Sequence, residues 1–203
     1  MKLISVRTLF AYSLFVLACC QATIGAFAAQ QQAAGQPPVD PKTTTRLTLG
    51  STSGEPGTSV VVPIYFTPAE QFPVASATLN INFVSKNMKF SKLDVGAAAE
   101  LGNVNLKSET RDSKNEQGLD TTTLTIAASV PEGSGKSIPS GLLGYVSFDI
   151  SKTAVPANIS LRAEASGQLT AGGAAKDMRA FGAQVEVLAE GEGGMVACFF
   201  FTH

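Results

Sequence analysis

Tryptophan is absent from the 203 residues, histidine occurs once and cysteine three times. The one histidine is His203 and the last cysteine is Cys198. A Ser-His-Asp or Cys-His arrangement would need one of these carried from a tail into a site. A zinc site needs several His or Cys ligands, and they are not available. Paired carboxylates could still do acid–base work, but the sixteen acidic residues are scattered, mostly in turns or outward strand positions. No catalytic residues and no enzyme are therefore expected. Charge is also scarce, with 15% Asp, Glu, Lys and Arg and a formal net charge of -1. That balance gives no electrostatic pull toward nucleic acid or an anionic membrane. The longest apolar run of the first part, Leu9 to Cys20, is too short to span a bilayer comfortably.

That run is instead the centre of a targeting segment. Lys2 and Arg7 precede it, and Ala26-Phe27-Ala28 is a small-x-small cleavage site, so residues 1–28 read as a signal peptide and the mature chain as starting near Ala29. Membrane attachment would come only from an uncleaved signal or from lipidation at Cys19, where Val16-Leu17-Ala18-Cys19 loosely resembles a lipobox. Cleavage removes Lys2 and Arg7 but no acid, which takes the formal charge from -1 to -3. It also leaves Cys198 as the one cysteine, so no intrachain disulfide is available and the fold must rest on its own core. About 150 residues suffice for that. The expected location is secreted or cell envelope.

Residues 29–45, rich in Gln, Ala and Pro, read as a flexible linker. From 46 to 189 the dominant period is two. Val60, Val62, Ile64 and Phe66 form one inward set, Ala77, Leu79, Ile81 and Phe83 a second, and Leu124, Ile126 and Ala128 a third. Val146, Phe148 and Ile150, then Ile159, Leu161 and Ala163, then Phe181, Ala183, Val185 and Val187 continue it. Gly- and Pro-rich turns separate these runs. Only 96–102 could make a helical turn. One buried and one wet face per strand implies an all-β, antiparallel β-sandwich of about nine strands, jelly-roll or immunoglobulin-like. Residues 190–203 form a Gly/Glu-rich and Phe-rich tail.

Three local patterns have plain structural readings. Residues 133–137 (GSGKS) lack the upstream glycine and following helix of a phosphate loop, and read as a strand-to-strand loop. The segment from Asp112 to Asp120 carries oxygen ligands around Gly118, but its spacing differs from a calcium loop and Lys114 sits inside it; it reads as a polar hairpin turn, with calcium the one cofactor considered. Sugar-binding faces present flat rings, yet the mature chain keeps only Tyr65 and Tyr145, and Phe66, Phe83, Phe148 and Phe181 share the inward phase.

Residues 46–83 bear Gly54-Glu55-Pro56-Gly57 ahead of a strand, then Val60-Val61-Val62-Pro63-Ile64, then the turn into Val74-Ala75-Ser76. Together with Ser140 to Ile150 (SGLLGYVSFDI) and the closing run 180–188, this resembles a cohesin domain over about 140 residues. The Asp-Pro that follows the aromatic in that family is replaced here by Phe83-Val84-Ser85. The resemblance implies a nine-stranded jelly roll that binds dockerin-like modules through the polar face of one sheet, in the setting of polysaccharide degradation. The matching strands are 76–83, 103–110, 121–129 and 157–165. Their outward residues, the candidate partner contacts, are Thr78, Asn80, Asn82, Asn105, Lys107, Thr123, Thr125, Ser160 and Arg162. Two alternatives stay open: a carbohydrate-binding module on the same sandwich, with polysaccharide as partner, and a surface structural subunit whose tail adds a strand to a neighbour.

Overall fold

A computed structural model describes residues 40–191; the signal segment with Cys19, most of the linker and the tail beyond Gly191 lie outside the described residues. Eleven strands and one short helix follow in order: β1 (Thr45–Leu49), β2 (Thr52–Gly54), β3 (Ser59–Thr67), β4 (Val74–Val84), β5 (Met88–Val95), α1 (Ala97–Gly102), β6 (Asn105–Lys114), β7 (Asp120–Ser129), β8 (Gly141–Ile150), β9 (Ala157–Leu169), β10 (Met178–Phe181) and β11 (Ala183–Val187). They build two sheets, one in the order β10-β1-β3-β8-β5 and one in the order β2-β11-β9-β4-β7-β6.

The alternation read from the sequence is what the packing uses. In β3 the pattern runs exposed, buried, exposed, buried from Ser59, and Val60, Val62, Ile64 and Phe66 all enter the core. Ala77, Leu79, Ile81 and Phe83 do so from β4, and Leu124, Ile126 and Ala128 from β7. The sheets meet through their aromatics. Phe83 of one sheet and Phe148 of the other lie edge to face at 5.2 Å, and Phe90 meets Phe148 at 6.5 Å. Burying each such ring contributes about 1.5–3 kcal/mol, and the edge-to-face geometry adds to it by setting positive ring edge against negative face.

The strand count exceeds nine because the first and last strands each divide between the sheets. β1 lies parallel to β10 in one sheet, and β2 lies parallel to β11 in the other. The changeovers fall at Gly50-Ser51 and at Gly182, and Gln184 N–H donates to Ser51 Oγ (3.2 Å) across them. Every other pairing within a sheet is antiparallel. A side chain at Gly182 would set its Cβ 2.2 Å from the Leu161 carbonyl oxygen, so the crossing needs the bare backbone there.

The crossing also corrects the phase of Phe181. The strict alternation Phe181, Ala183, Val185 assigns all three to the core. Ala183 packs against it and Val185 and Val187 are buried, but Phe181 stands opposite Thr48 on the outer side of the five-stranded sheet. The inward directions of two facing sheets are opposite, so a chain that passes from one to the other inverts its phase.

The packed chain begins slightly ahead of Arg46. Thr44 and Thr45 are buried; Thr44 Oγ1 donates to Asp177 Oδ2 (2.6 Å), and Thr45 Oγ1 accepts the Ala69 N–H (3.1 Å). After Phe83, Ser85 N–H bonds the Asp120 carbonyl (3.0 Å) and the chain turns directly into the buried Met88.

Candidate binding face

The six-stranded sheet turns its inner residues to the core and its outer residues to solvent, and β4 runs through its middle. Asn80 sits between Thr125 of β7 and Glu164 of β9. Asn82 sits between Thr123 and Arg162, and Thr78 between Ala127 and Ser166. On β6, Lys107 lies opposite Ala127 and Asn105 opposite Ser129; on β9, Ser160 lies opposite Gln184 of β11. The register therefore gathers Thr78, Asn80, Asn82, Asn105, Lys107, Thr123, Thr125, Ser160 and Arg162 on one outward face.

Two hydrogen bonds across the β4–β7 ladder hold the centre of that face. Asn82 Nδ2 donates to Thr123 Oγ1 (3.0 Å), and Thr125 Oγ1 donates to Asn80 Oδ1 (2.9 Å). Each restrains a side-chain rotamer on the free domain, and a restrained side chain loses less entropy in any contact it makes. Each amide also keeps groups free, since an Asn side chain has two donors and two acceptor sites.

The face also carries charges beyond Lys107 and Arg162. Glu109 stands opposite Thr125 and Arg111 opposite Thr123. One row across the sheet thus reads Arg111-Thr123-Asn82-Arg162, and the next Glu109-Thr125-Asn80-Glu164. The ion pairs among the described residues are Lys92–Asp94, Lys114–Asp120 and Arg179–Asp177, and none of these lies on this face. A row of cations beside a row of anions, unpaired within the domain, is a pattern another surface can match in only one orientation. Glu109 and Glu164 were available from strand parity alone. Arg111 lies past residue 110, where the sequence ends that strand; β6 continues to Lys114.

The segment from Asp112 to Asp120 is the β6–β7 hairpin turn. Asn115 Oδ1 accepts the N–H groups of Gln117 (3.0 Å) and Leu119 (2.9 Å), and Gly118 takes a positive φ of 77°. Of its three carboxylates, Asp112 accepts from Thr122 Oγ1 (2.6 Å) and Asp120 pairs with Lys114 (3.3 Å). No group of three or more His, Cys, Asp or Glu capable of holding a metal occurs among the described residues. Residues 133–137 lie in an open loop after β7 and lead to no helix. On the opposite, five-stranded sheet, Tyr65 lies beside Thr48 and Leu142, and Tyr145 lies opposite Pro63. With Phe181 they face outward, but Phe181 is two strands away from Tyr65.

No family model matches the chain, and no curated protein matches it in sequence. Solved structures do, and they define the fold as cohesin-like. The third cohesin of ScaC from Acetivibrio cellulolyticus, solved in complex with the ScaB dockerin, is 20% identical, with a TM-score of 0.56 over 72% of this chain and 100% of that one. A cohesin–dockerin complex of OlpA from Clostridium thermocellum gives 17% identity and a TM-score of 0.54 over 71% and 99%. The seventh type I cohesin of ScaB from Pseudobacteroides cellulosolvens gives 16% and 0.52 over 79% and 98%.

Proposed function

We propose that this domain is a non-catalytic, exported binding module that takes a dockerin-like protein on the outer face of its six-stranded sheet. The observation that carries this reading is the flat array around Asn80 and Asn82: two pre-set amides, flanking threonines, and rows of opposite charge left unpaired within the domain. The cohesin-like fold supports it, since two of the similar structures above were solved with dockerins bound. Strands β4, β7 and β9 are each paired on both sides, so recognition there runs through side chains and not through strand addition. Export through residues 1–28 belongs to the same reading, with lipidation at Cys19 as the alternative to cleavage after Ala28, as does a place in polysaccharide degradation.

The test is capture of secreted and envelope proteins of the source organism by residues 29–189, with captured chains identified by mass spectrometry and cellulose, xylan and chitin beads run in parallel. A discrete dockerin-like protein should be captured by the parent and lost with Asn80→Ala plus Arg162→Ala. Capture that survives the double variant, or retention on a polysaccharide with no protein bound, refutes this assignment of the face.

A further inference from the structure

β4 and β9 part company at one end of the six-stranded sheet. Their ladder ends at Asn82↔Arg162. Beyond it, Phe83 and Val84 pair only with β7, and residues 157–161 of β9 pair only with β11. The gap is bounded on its far side by the β6–β7 turn, and it forms an open groove of about 710 Å³. That volume is in the range that holds a ligand of a few hundred daltons.

The groove's polar chemistry is lopsided. Lys86 and Arg162 both line it, and Glu116 is its single carboxylate. Asn87, Asn158 and Ser160 add amides and a hydroxyl. The side chains of Lys86, Asn87, Asn158, Ser160 and Arg162 make no hydrogen bond or ion pair with any described residue. Lysine and arginine only donate, whereas amides and a hydroxyl both donate and accept. The complement is a ligand rich in acceptors, carrying negative charge and also hydroxyls. The walls expose apolar surface as well, from Val84 (36% exposed) and Leu119 (43% exposed). Carboxylate, hydroxyls and a C–H face together are the chemistry of a uronic acid.

We infer that this groove binds an acidic oligosaccharide, with a uronate carboxylate between Lys86 and Arg162 and ring hydroxyls on Asn87, Asn158 and Ser160. The site shares Asn82, Ser160 and Arg162 with the proposed protein face, so an acidic glycan and a protein would compete for those three side chains.

The test is titration calorimetry of the full chain with tetragalacturonate and with tetramannuronate, against cellotetraose and poly-glutamate as the neutral and peptide probes. Saturable binding of either uronate is expected, with cellotetraose at least about tenfold weaker. Lys86→Gln and Asn158→Ala should each weaken uronate binding by about tenfold. Lys136→Ala, in the exposed loop after β7 and outside the groove, should leave it unchanged. Both groove side chains are on the surface, and unchanged melting curves would show that the variants fold. Absence of binding by both uronates overturns the inference. So does cellotetraose or poly-glutamate binding as tightly, or a uronate affinity indifferent to Lys86→Gln and Asn158→Ala. Protein capture does not enter these readouts, so failure of the protein-binding reading would show separately.

Discussion

Replacing Gly182 by alanine tests whether the last strand really passes from one sheet to the other at that residue. The added Cβ would lie 2.2 Å from the Leu161 carbonyl oxygen and 3.3 Å from its carbonyl carbon. These atoms are backbone of β9, held by Ala183↔Leu161 on one side and joined directly to Arg162, where the β4 ladder begins. No flexible side chain can yield, so β11 must move away from β9 or the crossing must shift. Overpacking of this kind costs about 1–3 kcal/mol, and a backbone obstacle belongs at the upper end, about 3 kcal/mol. With a urea m-value of about 2 kcal/mol/M, the unfolding midpoint should fall by about 1.5 M. The assay is equilibrium urea unfolding of both proteins, followed by circular dichroism and by intrinsic tyrosine fluorescence, with coincident transitions as the check on two-state behaviour. A midpoint within about 0.25 M of the parent at equal m would refute the argument. It would mean that the chain has room at residue 182 and that the change of sheet occurs elsewhere.

Two further substitutions probe the same architecture by thermal melting. Phe148→Ala removes a fully buried ring that contacts Phe83 and Phe90 and should cost about 3–5 kcal/mol, a fall of roughly 10 °C in a domain of this size. Phe181→Ala should cost less than about 1 kcal/mol, because its ring stands outside the core; a loss as large as that at Phe148 would restore the inward placement. Asn115→Ala deprives two backbone N–H groups of their acceptor in the β6–β7 turn and should cost about 1 kcal/mol, measured as a shift in urea midpoint with m unchanged.

Much of this structure is legible in the sequence because a two-residue period leaves so little freedom. Once Leu79, Ile81 and Phe83 are inside, Thr78, Asn80 and Asn82 must be outside, and the same logic places Thr123, Thr125 and Arg162. The registers between strands are not written that way. That Asn82 lies between Thr123 and Arg162 depends on long-range pairing, so the alternating rows of charge emerge only with the fold. Phe181 was misplaced because parity holds along a single sheet and fails where the chain changes sheets. The groove was invisible for a related reason. It exists because β9 pairs with β11 over residues 157–161 and joins β4 only from Arg162 onward, and no local feature of residues 157–161 announces a change of neighbour. The cohesin-like pattern of Gly54 to Gly57 and Val60 to Ile64 worked better, since turn residues and strand phase are both local.

The parallel pairing of the first and last strands has a mechanical consequence. β1 runs beside β10 and β2 beside β11, all in the same direction. The chain therefore enters at one pole of the sandwich, beside Thr45 and Met178, and leaves at the other, beside Gly54 and Val187. Tension applied through the two ends draws these neighbours past each other along their length. Their hydrogen bonds lie across the pull and share it, where an antiparallel hairpin loaded from its open end would unzip one bond at a time. A module strung between an anchor and a cargo would thus carry load through its two terminal ladders, with Gly50 and Gly182 marking where the strain passes from one sheet to the other.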